Sequence, residues 1–251
     1  MARIKSWIPN IFTLGNLSLG FFSVLLCFQN GVNPGILSIA GLLILLAALL
    51  DGLDGFAARL LNAQSELGAQ LDTLADLTTF GIAPGVLMYT LVLQTYSFVL
   101  GGITVPLGAF IAVIFPVCAA YRLARFNVQH ATDSFSGLPS PVAGVIVGLM
   151  PLAFTDDMIP IPHYILTIIF VLAGFLMVST VRYAKPQVSG IRAFTPQRLA
   201  IVVVFLIGVL IFIAFRYSAD YAAAALFCLI VVYIMSGLIS LIVQLMKKYR
   251  V

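Results

Sequence analysis

Charge is scarce in this chain. Only 9% of its 251 residues are charged, against about 25% in an ordinary soluble domain. The mean hydropathy is +1.13, and a chain of this size cannot hide so much apolar surface from water. A soluble globular domain is excluded. Cysteine is rare as well. Cys27, Cys118 and Cys228 lie inside apolar stretches without metal-type spacing, so each reads as a small packing hydrophobe. There are two histidines: His130 sits in a polar loop and His163 near the face opposite the acidic residues. Neither is assigned to catalysis. No basic patch with interleaved aromatics occurs, which argues against a nucleic-acid groove. The start, Met-Ala-Arg-Ile-Lys, leads into no short apolar segment with a small-residue cleavage site. It reads as an uncleaved first span. No repeat, low-complexity tract or soluble domain is visible.

What fills the chain is apolar helix. A span needs ~20 mostly apolar residues. Eight stretches qualify: 11–29, 35–61, 66–96, 103–127, 139–155, 161–182, 197–216 and 220–245. The expected fold is all-α, a polytopic integral membrane protein of about eight transmembrane helices in one domain over 1–251. Eight spans put both termini on one side. That side receives Arg3, Lys5, Arg59, Arg122, Arg125, Arg182, Lys185, Arg192, Arg198, Lys247, Lys248 and Arg250. Of the 13 basic residues only Arg216 falls opposite, with Asp156, Asp157 and Asp220. The basic side is cytoplasmic by the positive-inside rule. The expected location is therefore the cell membrane, multi-pass, with cytoplasmic termini. Trp7, beside Lys5 and Arg3, reads as an interfacial anchor.

Against this background the acids cluster. Of nine, Asp51, Asp54, Glu66, Asp72 and Asp76 fall between positions 51 and 76. Carboxylates at the end of an apolar run are costly and mark function. Residues three and four apart share a helix face. Asp51, Asp54, Gly55 and Ala58 therefore form one stripe, and Gly68, Asp72 and Asp76 a second on the next helix. The turn between them is 62–66, where Ser65 either caps the second helix or touches a phosphate. Folding this hairpin about position 63 pairs the four carboxylates at matching depths. Asp51 and Asp54 differ in height by ~4.5 Å, Asp72 and Asp76 by ~6 Å. Gly55, Ala58 and Gly68 leave space beside them.

Four close carboxylates repel, and Arg59 offsets only one. Two hard divalent cations would offset all four. An all-oxygen set without His or Cys suits Mg²⁺, Mn²⁺ or Ca²⁺ rather than zinc. Paired metals commonly clamp phosphoryl displacements, so the box suggests phosphoryl chemistry at the membrane face. The rival from another class is a divalent cation transporter. Such proteins favour broken helices with ionisable groups scattered over several spans, whereas spans six to eight carry no interior acid.

The array Asp51-x₂-Asp54-Gly55-x₂-Ala58-Arg59-x₈-Gly68-x₃-Asp72-x₃-Asp76 resembles the signature of the CDP-alcohol phosphotransferase family, without a departure. The resemblance implies a membrane enzyme with a six-helix core, within about 1–182, leaving two additional C-terminal helices over about 197–245. It implies transfer of a phosphatidyl-type group from a CDP-lipid to an alcohol with release of CMP. A divalent-metal requirement (Mg²⁺ or Mn²⁺, two ions), a homodimer and a cytoplasmic active site follow from it too. By the same resemblance Asp51, Asp54 and Asp72 look like metal ligands, and Asp76 like a ligand that also serves as general base. Gly55, Ala58, Arg59 and Gly68 look like the surface on which the CDP group lies.

The segments Ile8–Leu17, Arg122–Asn127 and Phe135–Pro141 resemble the branch of the family whose acceptor is L-serine. The donor is then CDP-diacylglycerol or a CDP-archaeol-type lipid, and the product phosphatidylserine or its ether analogue. Serine brings a carboxylate to a negative site and needs a cation. Arg122 and Arg125 are helix-face neighbours, and each either holds that carboxylate or anchors the helix at the membrane surface. Arg182, Lys185 and Arg192 are weaker choices. Thr13, Asn16 and Asn127 are polar groups near the same face, available for nucleotide or serine contact or for bridging helices. Within the family the competing acceptors are glycerol 3-phosphate and an inositol phosphate, which call for a denser basic cluster.

Overall fold

The computed structural model describes residues 2–29, 33–61, 63, 65–128, 137–154, 161–180 and 221–234. Their architecture is helical. α1 (Ala2–Cys27) runs antiparallel to α2 (Pro34–Leu60), then come α3 (Glu66–Leu77), α4 (Ala83–Leu91), α5 (Leu107–Val128), α6 (Ser140–Ala153) and α7 (His163–Val178). A further helix, α8, covers Tyr221–Ile234. Among the described residues, four helical stretches are long and apolar enough to cross a membrane: Trp7–Cys27, Pro34–Leu60, Glu66–Leu91 and Leu107–Val128. α6, α7 and α8 are shorter apolar helices. The expected spans 11–29 and 35–61 fall on α1 and α2, while 139–155 and 161–182 fall on the shorter α6 and α7; of 220–245 only α8 is described, and 197–216 lies outside the described residues.

Local chemistry sets the helix ends. The Asn33 side chain accepts from the Ile36 N–H at 3.0 Å, and Pro34 follows at the first position, where its missing N–H costs nothing. Ser65 caps α3 by accepting from the Gly68 N–H at 3.0 Å, so the first of its two expected roles is realised. Between α3 and α4 the rod widens into a π-helical turn, Thr78–Ile82, where the Ala83 N–H reaches back to the Thr78 carbonyl. Pro84 supplies the reason. In a regular α-helix its ring would press on the Phe80 carbonyl and no N–H would meet it; the wider turn absorbs both.

Spans three and four differ from their expected bounds. Helix stops at Leu91 and resumes at Leu107. A short 3₁₀ turn (Leu93–Thr95) and an antiparallel ribbon of β1 (Phe98–Leu100) and β2 (Ile103–Val105) fill the gap. Gly101 and Gly102 adopt φ of +57° and +82°, the geometry of a tight hairpin turn. Hydropathy does not distinguish these β-branched residues from helix.

The core sits between α4, α5, α6 and α7, with Met88, Phe115, Leu138, Met150 and Phe170 buried. Phe115 and Phe170 stack at 4.8 Å between centroids. A second cluster joins α1, α2, the π turn and α4 through Cys27, Leu37, Ile44, Phe80 and Leu87. Without a hydrophobic drive inside lipid, such helices associate through close packing at small residues. Gly41 on α2 and Gly148 on α6 meet backbone to backbone. Ser38 adds a hydrogen bond to the Pro151 carbonyl at 2.8 Å. These contacts hold α2, the carrier of two of the carboxylates, in a defined rotation.

Candidate active site

The α2–α3 hairpin brings three of the four array carboxylates together. One oxygen each from Asp51, Asp72 and Asp76 lies within 4.8 Å of the others. Asp76 is 8% exposed, and its Oδ1, like that of Asp72, is buried without a hydrogen-bond partner among the described residues. Buried polar atoms are normally paired, so these two oxygens mark a place for a positive partner. The fourth carboxylate stands apart. Asp54, 6% exposed, accepts from Thr13 Oγ1 at 2.7 Å. That hydroxyl also lies 3.2 Å from the Pro9 carbonyl; it has one proton, and the shorter contact is to the carboxylate. Thr13 thus ties Asp54 to α1, outside the close group of three but within electrostatic reach of Asp72 and Asp51.

Two clefts flank this group, and Asp72 lines both. The first, about 310 Å³, is bounded by Pro9, Asn10 and Thr13 of α1, Asp54, Gly55 and Ala58 of α2, and Ser65, Gly68 and Ala69 around the start of α3. A Cβ on Gly55 would meet nothing within 4 Å, so its backbone is open to a ligand. One on Gly68 would come within 3.1 Å of Ser65 Oγ and 3.2 Å of Asn10 Oδ1, so glycine there lets both polar groups approach the cleft. Arg59 is exposed and is not among the lining residues. Asn16 lies one turn beyond Thr13, fully buried, and neither end of its carboxamide has a partner among the described residues. The backbone carbonyl of Asn16 accepts from Thr79 Oγ1 at 3.1 Å, tying α1 to the π turn.

The second cleft, about 360 Å³, is lined by Asp51, Asp72, Thr73 and Asp76, by Arg122, Phe126 and Asn127 of α5, and by Pro139 and Pro141 at the start of α6. The two neighbouring arginines take different places. Arg122 lines the cleft within electrostatic reach of Asp76 and Asp51. Its Nη1 donates to Ser140 Oγ at 2.6 Å. Arg125 is not among the lining residues. It donates to the Val178 carbonyl at 3.0 Å and the Ser179 carbonyl at 3.4 Å, a cation on the end of α7 where the helix dipole favours one. Asn127 Nδ2 donates to Thr73 Oγ1 at 3.0 Å across the cleft rim. Gly137, at φ +88° and pressed on the Met177 carbonyl, turns the chain into α6 where a side chain would not fit.

Thr73 has no place in the sequence analysis, although it adjoins Asp72. Asn10 and Ser140 enter it only inside the segments Ile8–Leu17 and Phe135–Pro141, with no role of their own. The role of Ser140 is not legible there, because its contact to Arg122 depends on how α6 docks against α5. Arg182, Lys185, Arg192 and His130 lie outside the described residues. His163 opens α7.

The donor set fits a hard divalent cation. It is all oxygen and anionic, Asp51, Asp72 and Asp76 converge, and two of their oxygens await a partner. The model of the CDP-alcohol phosphatidyltransferase family matches residues 6–188, which spans both clefts. A CDP-diacylglycerol–serine O-phosphatidyltransferase of Bacillus subtilis is 33% identical over 179 residues, 71% of this chain and 90% of the relative. One of Helicobacter pylori is 35% identical over 185 residues, 70% of each. An archaetidylserine synthase of Methanothermobacter thermautotrophicus is 32% identical over 199 residues, 77% of this chain and 76% of the relative. A carboxylate array matching the family signature, folded into a site between two clefts, stands inside the matched region, and the chain belongs to the CDP-alcohol phosphatidyltransferase family.

Proposed function

We propose that the protein is a membrane enzyme that transfers a phosphatidyl-type group from a CDP-lipid to the hydroxyl of L-serine, releasing CMP. The observation that carries the reading is the shared wall: Asp72 borders both clefts, so a donor in one and an acceptor in the other would meet at the carboxylates. In this reading Gly55, Ala58 and Gly68 floor the nucleotide cleft, with Thr13, Asn10 and Ser65 at its edge. Asp51, Asp72 and Asp76 would hold Mg²⁺ or Mn²⁺, with Asp54 completing the set for a second ion. Bound there, the metal would supply Lewis-acid charge at the diphosphate. Arg122, held by Ser140, faces the acceptor cleft and is the group we assign to the serine carboxylate, by a fork of N–H donors. Asp76 takes the proton of the serine hydroxyl as its oxygen attacks the lipid-bearing phosphorus. The bond from that phosphorus to the bridging oxygen breaks, and CMP departs.

Relatives named for serine transfer at 33% and 35% identity support the acceptor. The lining supports it too: Arg122 is the one cation among the described residues bordering the second cleft, and a phosphorylated acceptor calls for more. The family match over 6–188 supports a catalytic core within about 1–182 carrying two further helices. The basic residues near the site support a cytoplasmic orientation. A homodimer belongs to the same proposal through the family alone.

The test is CMP release and lipid product from CDP-diacylglycerol with L-serine, glycerol 3-phosphate or inositol phosphate, each with Mg²⁺, Mn²⁺ or excess chelator. Product with serine alone, lost on chelation and restored by either metal, is expected. Incorporation of glycerol phosphate without serine would overturn the assignment. Thr13→Val removes a hydrogen bond to a carboxylate, about 1.5–3 kcal/mol, which is roughly 10- to 100-fold. The expected result is a rise of that size in the metal concentration for half-maximal activity, with Thr13→Ser restoring it. An unchanged metal requirement would show that Asp54 needs no hydroxyl to hold its position.

A further inference from the structure

From Leu77 to Tyr121 the chain carries no charged residue. In the middle of this stretch stands the β1–β2 ribbon. Its cross-strand pairs are Phe98 with Val105, Val99 with Thr104, and Leu100 with Ile103. Side chains alternate along a strand, so Phe98, Leu100, Ile103 and Val105 share one face. Leu100 is 67% and Ile103 70% exposed, and Val99 on the other face is 70% exposed. An isolated two-stranded ribbon is marginal in water at best, and one that bares apolar groups on both faces is worse placed there.

The ribbon is nevertheless firmly rooted. The Gly108 N–H donates to the Tyr96 carbonyl at 2.9 Å, and Gly108 packs so closely on the Leu93 carbonyl that a Cβ has no room. Val92 and Leu93 beneath it are buried. Its position is also defined. The Glu66–Leu91 rod is roughly 39 Å long at 1.5 Å per residue, so the ribbon lies at the end of the molecule away from the Ser65 turn and the first cleft. It joins two candidate membrane spans directly. The exposed apolar surface of the second, Leu107, Phe110 and Val113, continues from it without a charge.

We propose that this ribbon is a lipid-binding surface, seated in the headgroup and upper acyl region of the leaflet opposite the carboxylate cluster. The occupant is bilayer lipid, because the ribbon continues the lipid-facing surface of the spans on either side and presents no charge to water or to a polar partner. Seated there, its apolar side chains leave water, and the far end of the α3–α4 rod is held at a set depth.

The chain has a single tryptophan, Trp7, which allows a direct test. In a Trp7→Phe background, Leu100→Trp places a reporter on the ribbon, and the full chain is reconstituted into phosphatidylcholine–phosphatidylglycerol vesicles. The expected result is blue-shifted emission, lost when the lipids carry bromine on the upper acyl chain and little affected by aqueous acrylamide. Red emission quenched by acrylamide would overturn the proposal. So would a blue shift that disappears on dilution of protein in lipid, which would mean that a second copy covers the ribbon. Should Leu100→Trp fail to fold, judged by helical circular dichroism, Ile103→Trp reports from the same face.

Discussion

Asp76→Asn is expected to reduce serine-dependent CMP release by about 10²- to 10⁴-fold, the range contributed by a positioned general base, and to make the metal-free protein more stable. Both effects come from one geometry. Asp76 is buried, its Oδ1 has no partner among the described residues, and it converges with Asp51 and Asp72. Burying like charges together is costly unless a counter-charge is bound. Among the described residues lining the cleft Arg122 is the cation, and it also serves Ser140. The amide has the same shape, removes one negative charge and cannot accept the hydroxyl proton. Thermal unfolding without metal should move up. The further rise that Mn²⁺ or Mg²⁺ gives the unaltered protein, set by mass action on the folded state, should shrink. Substantial turnover by the variant would remove Asp76 from the role of base. Lost turnover with a lower metal-free melting temperature would mean that the change damaged packing instead.

Gly41→Leu is expected to have the largest effect on stability. A Cβ at this position falls on the Gly148 carbonyl oxygen and within 3.1 Å of Pro151 Cγ. The obstacle is backbone on the facing helix, which cannot swing aside as a side chain does. Overpacking a tight contact costs about 1–3 kcal/mol, and here α2 must also separate from α6. The melting temperature in detergent should fall well below that of the unaltered protein, or the chain should fail to fold. Gly52→Ala is the control. A Cβ there meets nothing within 4 Å, and alanine favours helix over glycine by about 1 kcal/mol, so stability should hold or rise. Equal behaviour of the two variants would show that the α2–α6 contact is not tight.

Much of the site was legible because its geometry is local. Helical spacing alone aligns Asp51 with Asp54 and Asp72 with Asp76, and a short turn at Ser65 folds the two stripes together. Hydropathy marked the helices for the same reason, since a span announces itself in one continuous segment. The ribbon at 98–105 was missed because its residues are as apolar as a span, and only strand pairing distinguishes them.

Sequence by itself determined the carboxylate hairpin, the open backbone at Gly55 and the family, all consequences of spacing within a few turns of chain. Tertiary structure decided the rest. Thr13 reaches Asp54 across 41 positions, which ties the fourth acid to α1. Arg122 and Arg125 are indistinguishable by spacing. The docking of α6 and α7 on α5 turns the first to Ser140 and the acids and gives the second to the end of α7. Helical periodicity puts residues on a common face, but the rotation of that face about its axis is set by close contacts such as Gly41 on Gly148, and those exist only once the helices have packed.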